Sequence, residues 1–164
     1  MNKTIQKIIS FILPITVLIL VPLYIERDIS IKLVTALVIG VIIMVIGLYI
    51  ITVTVSSIIR IGKGTLAPWS PSRRLVISGI YGYVRNPMIL GVLTVLTGES
   101  IAIVSYKILI WAVCFFVTNT IFFLIYEEPN LEKKFGDEYR EYKRNVHRWI
   151  PRSRPFKPDS EKET

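Results

Sequence analysis

The chain has 164 residues, 52% of them hydrophobic, with a mean hydropathy of +0.53 and a net charge of +8. Soluble domains average roughly 45–50% apolar residues; here the apolar residues gather in blocks, which points to one integral membrane domain and away from a nucleic-acid binder, whose basic surface does not accompany long apolar runs. The single cysteine, Cys114, lies inside such a run and excludes both a disulfide framework and cysteine-based metal spacing.

In chain order, Ile5 to Tyr24 is the first expected span, about 30 Å as a helix, with a kink expected at Pro14. Charged Glu26-Arg27-Asp28 follow it without a small-residue cleavage pattern, so it reads as a retained span rather than a signal peptide. Ile31 to Ile59 is a longer apolar block that must tilt or project from the bilayer. Its Gly40 and Gly47 lie on one face, open to close helix approach or to simple helix plasticity. Arg60 to Arg74 reads as a basic surface segment broken by Gly62, Gly64, Pro68 and Pro71, with Trp69 as an interfacial anchor.

Pro87 to Tyr126 is long enough for two crossings, with the interruption expected near Gly98–Lys107. From Asn130 to Val146, Leu131, Phe135, Tyr139, Tyr142 and Val146 mark one face of a helix that should lie on the membrane or cover the site as a lid. The expected class is therefore all-α integral membrane. It has about four transmembrane helices, the last two a helical hairpin, plus a C-terminal amphipathic cytoplasmic helix. Its divisions are 1–59 (two spans), 60–86 (cytoplasmic basic loop), 87–126 (hairpin), 127–152 (cofactor-binding or lid segment) and 153–164 (disordered tail). Lys3, Lys7, the 60–85 region and the basic tail all fall on the cytoplasmic side if the crossings between them are even in number, which places both termini there.

The chemistry gathers in Ser78-Gly-Ile-Tyr-Gly-Tyr-Val-Arg-Asn-Pro87 and in Glu127-Glu128. A carboxylate pair at the end of an apolar helix either marks a solvated exit or meets a cation. Arg85 and the Arg73–Arg74 pair either record topology or attract an anion, beside a helix start that offers free backbone donors. Gly79 and Gly82 make a turn or admit a ligand to the backbone. Tyr81 and Tyr83 pack on a flat ring or anchor the interface. A carboxylate on one wall and basic groups on the other suit a zwitterion with an aromatic base, and S-adenosylmethionine is one candidate.

These two blocks, Ser78-Gly-Ile-Tyr-Gly-Tyr-Val-Arg-Asn-Pro-Met-Ile-Leu-Gly91 and Glu127-Glu-Pro-Asn-Leu-Glu-Lys-Lys-Phe-Gly-Asp-Glu-Tyr-Arg-Glu-Tyr142, resemble the isoprenylcysteine carboxyl methyltransferase family. They are also similar to the related membrane phospholipid methyltransferases. The resemblance covers roughly Arg73 to Pro151. It implies S-adenosylmethionine near the cytoplasmic face, with S-adenosylhomocysteine as product, and a lipophilic acceptor entering from the bilayer: a prenylcysteine-like carboxylate, a phospholipid or a small thiol. By position, the cofactor would meet Arg73, Arg74, Leu75, Val76, Tyr81, Arg85, Asn86, Pro87, Met88 and Ile89, with Glu127 at its amino group and Glu128 beside it.

The sequence departs from the family at three places. Asn86 stands where the family usually has His, Ile89 where it has Tyr, and Phe123 where prenylcysteine enzymes carry a substrate-binding arginine. Arg148 and Arg152 are the tail residues that would supply positive charge to the substrate instead. The only histidine, His147, reads as a surface residue rather than a base. No metal, nucleic acid or obligate protein partner is expected. The partners would be membrane lipids and the acceptor. Two other classes remain open: an NADPH-dependent membrane sterol-type reductase, and a non-catalytic membrane protein that binds anionic lipid.

Overall fold

Long runs of Val, Ile and Leu leave no polar side chains to satisfy the backbone, so in lipid the backbone must satisfy itself, and a helix does this within one segment. The computed structural model describes residues 14–27, 29–60 and 75–157, and among them every regular element is helical. Helix α1 covers Thr16–Ile25, α2 Val34–Arg60, α3 Pro87–Ala102 and α4 Tyr106–Phe122; a wide turn, Phe123–Glu127, leads into α5, Glu128–Asn145. Among the described residues, two helical stretches are long and apolar enough to cross a membrane, α2 and the continuous run that begins with α4; α1 and α3 are apolar but shorter. Arg73, Arg74, Trp69, Lys3 and Lys7, on which earlier expectations fell, lie outside the described residues, as does the chain before Pro14 against which its kink was expected.

Helices α2 and α3 run antiparallel with their backbones in contact. A Cβ placed on Gly40 would lie 2.5 Å from Gly98 O and from Ala102 N. One on Gly47 would lie 2.8 Å from Gly91 O, and one on Gly98 would lie 2.7 Å from Gly40 O. Gly91 and Gly98 repeat the seven-residue spacing of Gly40 and Gly47, so each glycine on one helix meets its counterpart on the other. This decides between the two readings of Gly40 and Gly47 in favour of close packing.

The interruption in the hairpin falls within the expected Gly98–Lys107 stretch, in its second half. Gly98, Glu99 and Ser100 are inside α3, and the chain reverses only at Ile103–Ser105, where Val104 takes a left-handed φ of 50°. Gly98 is consumed by packing, and the Ser100 hydroxyl donates to Ser105 O at 2.9 Å, so neither breaks the helix. Ser105 caps α4 by accepting from Ile108 N. At this end of the molecule Ser105 Oγ also donates to Glu26 Oε2 at 2.6 Å and Lys107 Nζ lies 3.3 Å from Glu26 Oε1. The serine hydroxyl, then the lysine, hold the Glu26 carboxyl below its ordinary value. The loop after α1 is thereby tied to the hairpin turn.

Two wide helical turns each end two residues before a proline. In Thr16–Leu20, Val21 N–H donates to Thr16 O, five residues back. The next donor in that register would be residue 22, a proline with no N–H. The indole of Trp111 on α4 fills the gap, donating to Val17 O at 3.2 Å. The same pattern precedes Pro129: Glu128 N–H donates to Phe123 O across Phe123–Glu127. A proline ring crowds the carbonyl four residues back, and widening the turn relieves that clash. The Glu pair therefore does not end the helix as expected. It marks where the helix widens, and α5 continues directly from it.

Gly98→Val places two further carbons against the Gly40 backbone. Overpacking of this kind costs roughly 1–3 kcal/mol and more where only backbone can yield. Thermal unfolding in detergent should show a clear loss for Gly98→Val, whereas Val38→Ala, on an exposed position of α2, should be near neutral.

Candidate functional site

The hairpin returns the chain to the end from which it started, and there the turn before α3 meets the start of α5. Arg85 Nη1 donates to Glu128 Oε1 at 2.8 Å. The same oxygen accepts from Arg148 Nε at 2.8 Å and lies 2.7 Å from Arg148 Nη2, while Lys143 Nζ lies 3.3 Å from Glu128 Oε2. Glu128 is only 4% exposed. A carboxylate so buried is tolerated because it is paired on both oxygens.

The residues between Ser78 and Pro87 are set by their own turn and by the C-terminal chain laid along it. Gly79, with φ of +64°, opens a single 3-10 turn, Gly79–Gly82. The Tyr142 hydroxyl donates to Tyr81 O at 2.8 Å. Backbone bonds then run Arg85 N to His147 O (3.0 Å), Arg152 N to Tyr83 O (2.9 Å) and Phe156 N to Gly82 O (2.9 Å). Residues 153–157 therefore do not belong to a disordered tail; Phe156 packs on Tyr142, and only 158–164 fall outside the described residues. The apolar face of α5 also finds its partner here: Tyr139, Tyr142 and Val146 bury themselves with Leu75, Ile77, Leu131, Phe135 and Phe156. Helix α5 is bent at Gly136, whose φ of 55° breaks the helical path.

Tyr81 and Glu127 are brought to the same end of the molecule. Burial, and then the Glu127 carboxylate, raise the Tyr81 hydroxyl above the ordinary phenol value, so it stays a neutral donor. The two acids of the pair have different surroundings. Glu128 is held by Arg85, Arg148 and Lys143, whereas among the described residues no hydrogen bond or ion pair joins Glu127. Three cations gather around Glu128, and one of them, Lys143, also lies 3.7 Å from Glu132 Oε2. Two buried donors beside it, Arg85 Nε and Asn86 Nδ2, have no partner among the described residues.

Of the other sequence-derived candidates, Leu75 packs on the tyrosine cluster, Val76, Pro87 and Ile89 are buried, and Met88 is partly covered. Arg148 is committed to Glu128. Arg152 donates to Asn145 O at 2.7 Å and lies over the Phe156 ring. Phe123 is buried against Trp149, ring centroids 6.3 Å apart, and Trp149 also meets Phe116 at 5.1 Å. Sequence reasoning did not single out Trp149 or Phe156, and it gave Tyr142 only a place on an apolar helix face. The spacing of Tyr139 and Tyr142 marked an apolar face, but nothing in it named Tyr81 as the partner. A separate cavity of about 250 Å³ is lined by Ile77, Ser78, Gly79, Tyr83, Pro155, Phe156 and Lys157. It includes none of Tyr81, Asn86 or Glu127, and the chemistry described above lies elsewhere.

The profile of the phospholipid methyltransferase family matches residues 35–138, more than half of the chain. The chain belongs to this family. It is part of the isoprenylcysteine carboxyl methyltransferase-like group of membrane methyltransferases. A Haemophilus influenzae protein bearing the name uncharacterized protein is 67% identical over 24 residues, which are 15% of this chain and 38% of that one. The chain thus covers well under two thirds of that relative. No solved structure matches.

Replacing Glu128 by Gln removes the anion from between two buried guanidinium groups. Breaking one side of a buried ion pair costs roughly 3–5 kcal/mol, and chemical unfolding in detergent should show a loss of that order. Tyr142→Phe removes one hydrogen bond, worth about 1 kcal/mol, and should fall well below it on the same measurement.

Proposed function

We propose that the chain is an integral membrane methyltransferase that uses S-adenosylmethionine and acts on a lipophilic acceptor at the cytoplasmic face, with α1 to α4 as its four crossings. The observation that carries this reading is the division between the two adjacent acids: Glu128 is ringed by cations, and Glu127 meets none among the described residues. An ammonium group suits Glu127. A carboxylate suits the unpartnered donors Arg85 Nε and Asn86 Nδ2. The residues present thus fit a zwitterion of the kind the family's donor is. When bound, that donor supplies a methyl group on a sulfonium, open to in-line displacement.

The chain's own contribution is binding, alignment and exclusion of water. Glu127 would take the amino group, Tyr81 and the Asn86–Ile89 turn would form the adjoining wall, and Arg85 would keep one face to Glu128 and the other to the ligand. Arg73 and Arg74 belong to the same reading by position alone. His147 contributes its backbone carbonyl to Arg85, and its exposed ring is given no role as a base.

The acceptor side argues against a free carboxylate. Phe123 stands where prenylcysteine enzymes carry arginine, and it is packed into an aromatic wall with Trp149. Arg148, the nearest substitute, already serves Glu128. The wall suits an apolar chain, so a phospholipid or another lipophile without a free carboxylate at that position fits better than a prenylcysteine carboxylate.

Calorimetry on the detergent-purified chain should show binding of S-adenosylhomocysteine, and Glu127→Gln should weaken it at least about thirtyfold, the loss expected when a buried charged contact is removed. Binding unaffected by that substitution would remove Glu127 from the site. Labelled donor incubated with native lipid extract should give a labelled lipid, while prenylcysteine should stay unlabelled. Displacement of the ligand by NADPH would favour a reductase instead.

A further inference from the structure

The chain after α5 is an unusual neighbour for a membrane helix. Between Lys143 and Lys157 it carries Lys143, Arg144, Arg148, Arg152, Arg154 and Lys157, with no Asp or Glu. Lys143 and Arg148 are occupied by Glu128, and Arg152 by Asn145 O. Arg144, Arg154 and Lys157 are exposed and meet no acid among the described residues.

The depth of this strap is fixed by one side chain. Trp149 touches both Phe116 and Phe123, seven residues apart and so separated by about 10 Å along the helix. Both lie on the apolar side of Glu127, within the run that begins with α4. Trp149 therefore dips below the plane of the polar site, and its neighbour Ile150 is 70% exposed, as a side chain facing lipid tails would be. A segment anchored at that depth holds its flanking arginines and lysine at the level of the headgroups, where indole rings and basic side chains favour the interface.

We infer that the strap 144–157 is a docking surface for anionic phospholipid headgroups of the surrounding bilayer, contacted by Arg144, Arg154 and Lys157 and positioned by the insertion of Trp149 and Ile150. Charge complementarity selects the occupant: an unrelieved basic segment beside a buried indole matches an acidic headgroup above acyl chains, and each basic residue near such a surface gains about fivefold in binding. The same strap supplies the N–H groups of Arg152 and Phe156 to Tyr83 O and Gly82 O. Lipid docking therefore steadies the turn that bears Tyr81. This inference concerns the membrane surface, and it stands or falls separately from the identity of the ligand at Glu127.

The test uses the full chain in nanodiscs of phosphatidylcholine alone or of phosphatidylcholine mixed with phosphatidylglycerol, at low salt, read by hydrogen exchange. The amides of Arg152 and Phe156 should exchange at least about fivefold more slowly in the anionic discs. In the double variant Arg154→Gln, Lys157→Gln that difference should shrink to little or nothing, while exchange in phosphatidylcholine discs stays as in the parent chain. Equal exchange in both discs, or a double variant that keeps the full difference, would overturn the inference. A general loss of protection in α2 and α3 would identify a folding defect; Arg144→Gln alone, which takes part in neither bond, is then the second variant, and an undiminished lipid effect in it would count against the inference. No methyl donor is present in this experiment, so failure of the proposed activity leaves its outcome readable.

Discussion

Everything at the polar end converges on the Glu128 carboxylate. It joins the turn before α3 through Arg85, the last part of α5 through Lys143, and the following strap through Arg148. These segments are distant in sequence, and closing such long loops costs conformational entropy that local contacts cannot offset. A buried anion favours this closure over arrangements that leave it unpaired, because an uncompensated buried charge is costly. The hairpin of α3 and α4 makes the meeting geometrically possible, because an outward and a return helix end at the same level.

Neighbouring acids on a helix point about 100° apart, and this allows Glu127 and Glu128 to live in different surroundings. Glu128 faces the guanidinium groups. Glu127 faces Tyr81 strongly enough to act on its hydroxyl. The wide turn that ends at Glu127 sits where such distortions often serve ligand sites, and its cause is visible in the chain: Pro129 follows two residues later. The widened turn and the placing of Glu127 thus have one origin.

Much of this was legible in the residues. Apolar blocks marked the helices, and basic loops placed the turn and the Glu pair on one side. The pattern failed where a residue's role depends on a distant partner. The break expected near Gly98–Lys107 is there, but nothing in the pattern showed that Gly98 faces Gly40 or that Ser100 bonds the turn beyond it. Pro155 and the charges around it read as a loose tail, yet Phe156 is fixed by a tyrosine fourteen positions earlier and by the backbone of Gly82. Arg148 read as a free positive charge, and its partner proved to be an acid already assigned elsewhere. Composition and period report what a segment buries, and they are silent about which other segment covers it.

The paired glycines of α2 and α3 have a consequence for traffic through the bilayer. With backbone against backbone at Gly40–Gly98 and Gly47–Gly91, that seam is shut along its length and admits not even a methyl group. No acyl chain can slip sideways through it. Any opening between helices must therefore lie at another seam, leaving the glycine seam to act as the fixed hinge-post of the frame.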